Sequence, residues 1–585
     1  MKALIHSMLR WICRAFCCVG FLAAMVGGVL IIPQARAAYV TLSPSIRLYA
    51  DRLQPHAVQM IVAGAIVMAA ALFCNLALRD ATLATSRAIG GTAHFASWWE
   101  IWRGGYAERK KKPRFVLGKS TLFQTVALPA KRIFENIIVL APSGQGKTSR
   151  LVQPNLLQEK GDRGLLVNDT KGELYKTCGG VLSLRMSVIV FAPHRLDISV
   201  HYNPLKHVYN ERDAEDLARA WVENTGLSPQ PYWNDTAVLL IQAFIMHLHD
   251  TEPDAPFSRL ADLLGATTIA QIHTVLANSK SRAAHDLGAK FMDNIKMNPQ
   301  RAADIVSGMA TRFMSLRDPE LRTLTATDPD PLKNLDFQRL ARVPQALFLW
   351  VDPPDVRRLK PVFACLITQL MNVLIRTSLH IDFVLYLDEL CNVGHIPNYV
   401  NYISEMRAMG IGFVQCVQDF GQLRREYGQD GLDTILDNSN TKIFLPGTGK
   451  KEAEYASELL GDMTVKTTSV SRGRHGVTQR ESLTTRRLMK PDEIRRMKQG
   501  TIIAIASNLA PMKLHNRPYY KVRRLRKSAN LPMVYHNPHS PGAGQNGQPG
   551  GPVPAPALSG VRRLLQQIIQ LFRRWTGPSR GQVKP

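Results

Sequence analysis

Cysteine and acidic side chains are the scarce components of this 585-residue chain. The eight cysteines are Cys13, Cys17, Cys18, Cys74, Cys178, Cys365, Cys391 and Cys416. Four lie in or beside two apolar N-terminal stretches and four stand singly. No pair has the two-residue spacing of a zinc knuckle or a thiol redox motif, so they read as mostly buried small hydrophobes in a reducing compartment. Acids number 46 against 73 Lys and Arg, which leaves a net charge of +27 and a pI near 9.9. That sign favours a polyanionic partner, nucleic acid or anionic lipid headgroups, although a membrane protein with basic loops carries the same sign. No internal repeat is found. Apolar residues make up 45 % of the chain, which argues against bulk disorder. At about 100–200 residues per domain the length suggests about three to five modules.

Charge is also missing from two long apolar stretches, 15–32 and 57–78. Each is close to the ~20 residues a helix needs to cross a bilayer, and they predict two transmembrane helices at about 15–33 and 57–78. Lys2, Arg10 and Arg14 precede the first; Arg79, Arg87, Arg103 and the run Arg109-Lys110-Lys111-Lys112 follow the second. By the positive-inside rule both ends are cytoplasmic and a small loop at about 34–56 is external. Ala35-Arg36-Ala37 also fits a signal-peptide cleavage site, a competing reading of the first stretch.

From about residue 134 short apolar runs alternate with helical stretches: 137–140, 165–167, 188–191, 346–351, 383–387, 413–414, 443–445 and 502–505. Continuous apolar strands separated by helices predict an α/β fold with a mainly parallel sheet covered on both faces. Between 211 and 335 the strands stop and helical spacing takes over, as in Val238, Ile241, Ile245 and Leu248, or Ile305, Met309, Phe313 and Leu316. The expected organisation is a membrane anchor (1–105), the first part of a nucleotide-binding domain (106–210), an all-α insertion (211–335), the second part (336–530), and a Pro/Gly linker with a basic amphipathic tail (531–585).

The segment Ala141-Pro142-Ser143-Gly144-Gln145-Gly146-Lys147-Thr148 joins the first strand to a helix, the context that identifies a P-loop. Only Ala141 departs from the usual pattern, which opens with Gly. Ser143, Gly144, Gln145, Gly146, Lys147, Thr148 and Ser149 are the expected phosphate-binding residues, and ATP with Mg²⁺ the expected cofactors. Lys147 is placed to reach the β- and γ-phosphates and Thr148 to offer its hydroxyl to Mg²⁺. The strand 383–387 ends in Asp388-Glu389, a Walker-B arrangement in which Asp388 holds Mg²⁺ and Glu389 serves as general base. Gln418, at the end of the next strand, is a candidate γ-phosphate sensor or a strand-end amide capping a helix. Arg407 is a candidate arginine finger acting in a neighbouring subunit or a helix-surface residue. His194 and His201 lack cysteine company and read as ordinary loop positions.

These residues resemble the type IV secretion coupling proteins, the TraG-type conjugation ATPases, over about 1–530. The P-loop continues into Gln153-Pro154-Asn155-Leu156-Leu157. Asn168-Asp169-Thr170-Lys171-Gly172-Glu173-Leu174-Tyr175 is similar to the family's Asp-Pro-Lys-Gly-Glu segment, with Thr170 in place of Pro. Phe191-Ala192-Pro193, Tyr202-Asn203-Pro204-Leu205, Leu387-Asp388-Glu389-Leu390 with Gly394, and Arg407 through Gly410 to Gln418 and Gln422-Leu423 extend the likeness. The resemblance implies a RecA-like P-loop ATPase in the bacterial inner membrane, assembled as a homohexamer. It implies that single-stranded DNA with its attached relaxase is recruited to a type IV secretion channel.

Three other readings share some of these features. The same fold would serve a coupling ATPase for protein effectors only, since surface contacts choose the cargo. An FtsK-like DNA translocase also joins membrane spans to such a motor, but two spans and a large helical insertion speak against it. A nucleotide-gated scaffold would not need Glu389.

Overall fold

The computed structural model describes residues 58–71, 91–107, 115–120, 124–226, 231–265, 268–296, 299–378, 380–473, 476–506 and 509–534, with the isolated positions 18, 21 and 56. The expected span at 15–33 and the tail from 535 onward lie outside the described residues, apart from Cys18 and Phe21. Of the second expected span, Val58–Ala71 is an apolar helix. One described helix, Pro353–Arg376, is long and apolar enough to cross a membrane, but 78 % of its apolar window is buried. It is a core helix of the sheet domain.

Thirteen strands are described: β1 (Val116–Lys119), β2 (Thr125–Ala127), β3 (Ile137–Leu140), β4 (Gly164–Thr170), β5 (Ser187–Phe191), β6 (Gln345–Val351), β7 (Phe383–Leu387), β8 (Ile411–Val417), β9 (Thr441–Phe444), β10 (Asp462–Gly473), β11 (Gly476–Arg487), β12 (Thr501–Ala506) and β13 (Met512–His515). Eleven form one sheet in the order β2-β1-β13-β12-β9-β3-β8-β7-β4-β6-β5. The run from β9 to β5 is parallel. The other four strands add through antiparallel pairings at the β9 side, so the sheet is mixed although mainly parallel.

The parallel strands are buried on both faces because each alternate residue meets a helical layer. Ile138 and Leu140 pack into the cluster built with Trp221, Phe244 and Phe363; Ile137 and Val139 pack into the opposite cluster with Leu156, Leu174 and Leu182. All eight predicted strands are present. Between β5 and β6 every described element is helical, from Glu211–Asn224 through Pro231–Thr251 and Arg282–Lys296 to Phe337–Arg342. The apolar stripe of Pro231–Thr251 is buried throughout, whereas the second stripe is broken: the helix Pro299–Arg312 ends before Phe313, and a 3-10 turn carries Leu316.

Five strands carry no prediction. β1, β2 and β13 are short, and they pair at the sheet's antiparallel end. β10 and β11 form a separate two-stranded ribbon in full register from Asp462↔Arg487 to Gly473↔Gly476. Where its side chains are described, they are half-buried at 462–465 and 486, near the base, and exposed at 466–468, 482–485 and 487, with none fully buried. Such a ribbon has no buried face to print an alternating pattern on the sequence. Of the described cysteines, Cys178, Cys365 and Cys416 are buried, Cys391 is half-buried and Cys18 exposed.

Candidate nucleotide-binding site

The strand order brings the carboxyl ends of β3, β8, β7 and β4 side by side, with Leu140 opposite Val417, Leu387 opposite Gln415, and Asn168 opposite Leu387. Loops leaving that edge of a parallel sheet are the usual place for a ligand. After β3 the chain turns through Gly144 (φ 82°) and Gly146 (φ 79°), a conformation that favours glycine. At Gly144 an added Cβ would meet nothing within 4 Å, so backbone conformation rather than crowding calls for glycine there. Ser143 lies exposed at the loop tip. Gln145 lies against the loop after β9, where a Cβ on Gly447 would fall 3.2 Å from its Nε2. A helix then opens with a π-helical turn, Thr148–Val152, and continues as Gln153–Leu156. Such turns are frequent at functional sites. Ser149 Oγ donates back to Gly146 O at 3.5 Å.

Five of the expected residues converge at the head of this helix. Lys147 Nζ donates to Glu389 Oε2 at 2.5 Å, and Gln418 Nε2 donates to the same oxygen at 2.9 Å. Thr148 Oγ1 lies 2.7 Å from Asp388 Oδ2 and 3.0 Å from Oδ1. β8 lies between the P-loop strand and the Asp-Glu strand, which is why Gln418 can reach across to Glu389.

Burial shapes the charges. It pushes the Asp388 carboxyl up to about 6, against the pull of the Lys147 ammonium and the Thr148 hydroxyl. Burial works against the charge of Lys147, yet Glu389 and Asp388 outweigh it and the pKa rises above the usual lysine value. Asp169, at the end of β4, is pushed up to about 7, again chiefly by burial, although its Oδ2 accepts from the Tyr175 amide at 2.7 Å.

The residue set fits a nucleotide phosphate with Mg²⁺. A turn held open by glycines leads into a helix N-terminus beside an ammonium, which suits phosphate. A hydroxyl and a carboxylate 2.7 Å apart supply hard oxygen donors of the kind Mg²⁺ takes.

Two polar contacts at this edge have no counterpart in the sequence reading. Asn168 is fully buried and donates through Nδ2 to the main-chain oxygen of Glu389 at 3.1 Å; Asn392 Nδ2 donates to Thr170 Oγ1 at 3.3 Å. A buried amide at the carboxyl end of a parallel strand is the signal for Asn168; nothing marks Asn392 in advance.

Arg407 is not brought to this cluster within its own chain. It sits before the amino end of β8, exposed, with Nη2 2.6 Å from Glu135 Oε1. His194 stands edge-on to Trp350 with Nε2 3.3 Å from Asp352, and His201 has Nε2 3.3 Å from Asp328.

A family model described as type IV secretory system conjugative DNA transfer matches residues 100–540. The conjugal transfer protein TraG of Escherichia coli is 23 % identical over 408 residues, covering 62 % of each chain. The protein VirD4 of Rhizobium radiobacter is 21 % identical over 471 residues, covering 75 % of this chain and 65 % of that protein. The chain therefore spans less than two thirds of the length of these relatives. Among solved structures, the bacterial conjugative coupling protein TrwB superposes with a TM-score of 0.57 at 18 % identity, covering 74 % of this chain and 95 % of that one. The TrwB structure in complex with ADP and Mg²⁺ superposes with a TM-score of 0.56 at 16 % identity, covering 73 % and 94 %. These likenesses show the P-loop NTPase fold with its mostly parallel mixed sheet.

Proposed function

From the premise that this chain belongs to the type IV secretory system conjugative DNA transfer family, we propose that it is an inner-membrane ATPase coupling protein. It recruits a DNA–relaxase substrate to a type IV secretion channel and drives transfer by ATP hydrolysis. The observation that carries this reading is the convergence of Lys147, Thr148, Asp388, Glu389 and Gln418 at the carboxyl edge of β3, β8 and β7.

In this reading the loop amides from Ser143 to Ser149 and the Lys147 ammonium bind the phosphates. Thr148 Oγ1 and the Asp388 carboxylate hold Mg²⁺, which when bound supplies positive charge against the phosphate oxygens. Glu389 Oε accepts the proton of the attacking water. Lys147 and Gln418 donate to the same Glu389 oxygen, so Lys147 leaves that oxygen when it turns to phosphate, and Gln418 keeps the carboxylate oriented. Arg407 completes a neighbour's site in a homohexamer. Its pair with Glu135 is the observation that favours a local role instead.

The division into an anchor with two spans (1–105), two parts of a nucleotide-binding domain (106–210 and 336–530), an all-α insertion (211–335) and a tail (531–585) belongs to this proposal. So does a cytoplasmic motor with both termini on the same side. The alternatives are a coupler for protein effectors only, an FtsK-like translocase and a nucleotide-gated scaffold. ATP turnover by the full chain in detergent or nanodiscs, with and without single-stranded DNA and beside Lys147→Ala, tests the reading. Turnover stimulated by DNA and absent from the variant is expected. Turnover indifferent to DNA moves the cargo to protein, and no turnover at all leaves the scaffold.

A further inference from the structure

Three tryptophans stand exposed on one short helix, Trp98–Arg103. Trp98 is 37 % exposed, Trp99 53 % and Trp102 42 %, and Trp99 stacks on Trp102 with ring centroids 5.0 Å apart. Exposed tryptophans in a cluster mark a contact surface, and their amphipathic rings prefer the headgroup level of a membrane.

The topology says which way this helix faces. Ala96 N donates to Pro511 O at 2.8 Å, and Tyr106 OH reaches Ala506 O at the end of β12. β12 runs antiparallel to β9 with Ala506 opposite Thr441, so its carboxyl end lies at the amino edge of the parallel strands. The aromatic helix is thus at the edge opposite Lys147 and Glu389, about 20 Å away at ~3.3 Å per residue along a seven-residue strand. The base of the β10–β11 ribbon is at the same edge: Ala93 N donates to Asp462 O at 3.0 Å, and Thr464 N to Gly91 O at 3.2 Å.

Charge at this edge is complementary to an anionic surface. Arg103 ends the helix, and the exposed Lys513 lies with Nζ 5.7 Å from the Phe95 ring centroid. The ribbon sequence 462–487 carries six Lys and Arg against two acids; at its base Arg487 pairs with Asp462 and Arg486 with Glu493, and Lys466 stands exposed. The acid of the aromatic helix, Glu100, is turned back onto Ser97 and His94. Trp98 also stands only twenty positions after Leu78, the end of the second apolar stretch.

We propose that the aromatic helix Trp98–Arg103, flanked by the base of the basic β10–β11 ribbon, docks on the anionic phospholipid surface of the bilayer and holds the motor with its nucleotide site facing away from the membrane. This rests on the reading that residues 57–78 cross the bilayer. The rings sit among the headgroups while the basic side chains meet the lipid phosphates.

The test is tryptophan quenching by brominated phosphatidylglycerol in the full chain reconstituted in vesicles. Wild type is compared with Trp98→Ser/Trp99→Ser/Trp102→Ser and with Trp99→Ser alone. Trp221 and Trp350 are buried and Trp233 is half-buried in the all-helical stretch, so the triad makes up the exposed share of the described tryptophans. The triple variant is expected to lose roughly half or more of the quenching, and the single variant a smaller share. Binding of an ATP analogue at the opposite edge serves as the check that both variants fold. Equal quenching in wild type and triple variant overturns the proposal. So does a blue-shifted triad in lipid-free oligomers with no bromolipid quenching, which would mean that a second copy covers it. Carbonate extraction reports separately on the spans: release of the wild type removes the anchor reading, while quenching still reports on the triad.

Discussion

Lys147 and Glu389 stand 242 positions apart in the chain, yet Lys147 Nζ lies 2.5 Å from Glu389 Oε2, with both side chains nearly excluded from solvent. The cation of the P-loop and the proposed base are thus each other's partner, and Gln418 shares the same oxygen. Removing either member leaves the other buried without its counter-charge, an effect about as large as 3–5 kcal/mol when a buried pair is broken. In the proposed mechanism, nucleotide binding and the readiness of the base are therefore coupled through one carboxylate oxygen.

For Lys147→Ala the expected loss of ATP turnover is at least about 10²-fold, the scale of removing one charge-stabilising donor. Membrane insertion should be unchanged. Steady-state phosphate release and carbonate-resistant membrane fractions measure the two. Turnover near wild type would remove Lys147 from the phosphate site.

Glu389→Gln keeps the shape of the side chain and an oxygen for Lys147 and Gln418, while it removes the proton acceptor. ATP-analogue affinity should stay within a few-fold and turnover should fall about 10²–10⁴-fold, the usual range for general acid–base catalysis. Binding by fluorescence titration beside single-turnover hydrolysis separates the two effects. Unimpaired hydrolysis would assign the base elsewhere.

Much of this site was legible because its chemistry sits in contiguous motifs at strand ends. The apolar strand 383–387 followed by Asp388-Glu389, and the Gly-rich turn after 137–140, locate the carboxyl edge from the residues alone. Gln418 was legible for the same reason, since it ends β8. Asn168 lay inside a motif similar to the family's, but its bond to the Glu389 main chain depends on the β4–β7 register, which a sequence does not print. The β10–β11 ribbon was illegible on physical grounds, as Thr467, Ser482 and Thr484 pair across it by hydroxyl contacts in the open, with no core face to leave a period. Arg407 shows the opposite limit: the sequence placed it between two site strands, and the fold puts it at the amino edge on Glu135.

Mg²⁺ dependence should carry the signature of Asp388. Its carboxyl is raised to about 6, chiefly by burial, so the ionised form that Mg²⁺ needs is depleted below that pH. Mg²⁺ affinity is expected to weaken by about ten-fold per pH unit as pH falls below ~6, while ATP binding in chelator changes far less. Titration calorimetry from pH 8 to pH 5 measures both. A flat Mg²⁺ affinity across that range would remove Asp388 as the ligand that titrates.

Arg407→Ala should retain nucleotide binding, because the residue is remote from its own site. If it acts as a finger in a neighbour, turnover falls about 10³-fold or more, and mixing it with Lys147→Ala protein restores hydrolysis at the mixed interfaces. Loss that persists at every mixing ratio would assign Arg407 to pinning the 3-10 turn Ala130–Glu135 against β8 through Glu135.

Asp169 offers a stability test that needs no nucleotide. Its carboxyl is raised to about 7 from 3.8, mainly by burial, with Asp388 and Glu173 adding repulsion. Between roughly pH 4 and pH 7 the folded chain therefore holds a proton that the unfolded chain has released, and stability falls as pH rises through that window. Above about 7 the fold carries the full penalty of a buried carboxylate. Asn at this position keeps an oxygen to accept from the Tyr175 amide, as Asp169 Oδ2 does at 2.7 Å, and it cannot ionise. Asp169→Asn should therefore lose part of the decline between pH 5 and pH 8, and gain on wild type as pH rises. Thermal midpoints of both proteins, taken without Mg²⁺ so that Asp388 contributes equally to each, measure the difference. A constant gap between the two proteins across that range would mean that Asp169 is ionised throughout, held so by the Tyr175 and Leu174 amides against its burial.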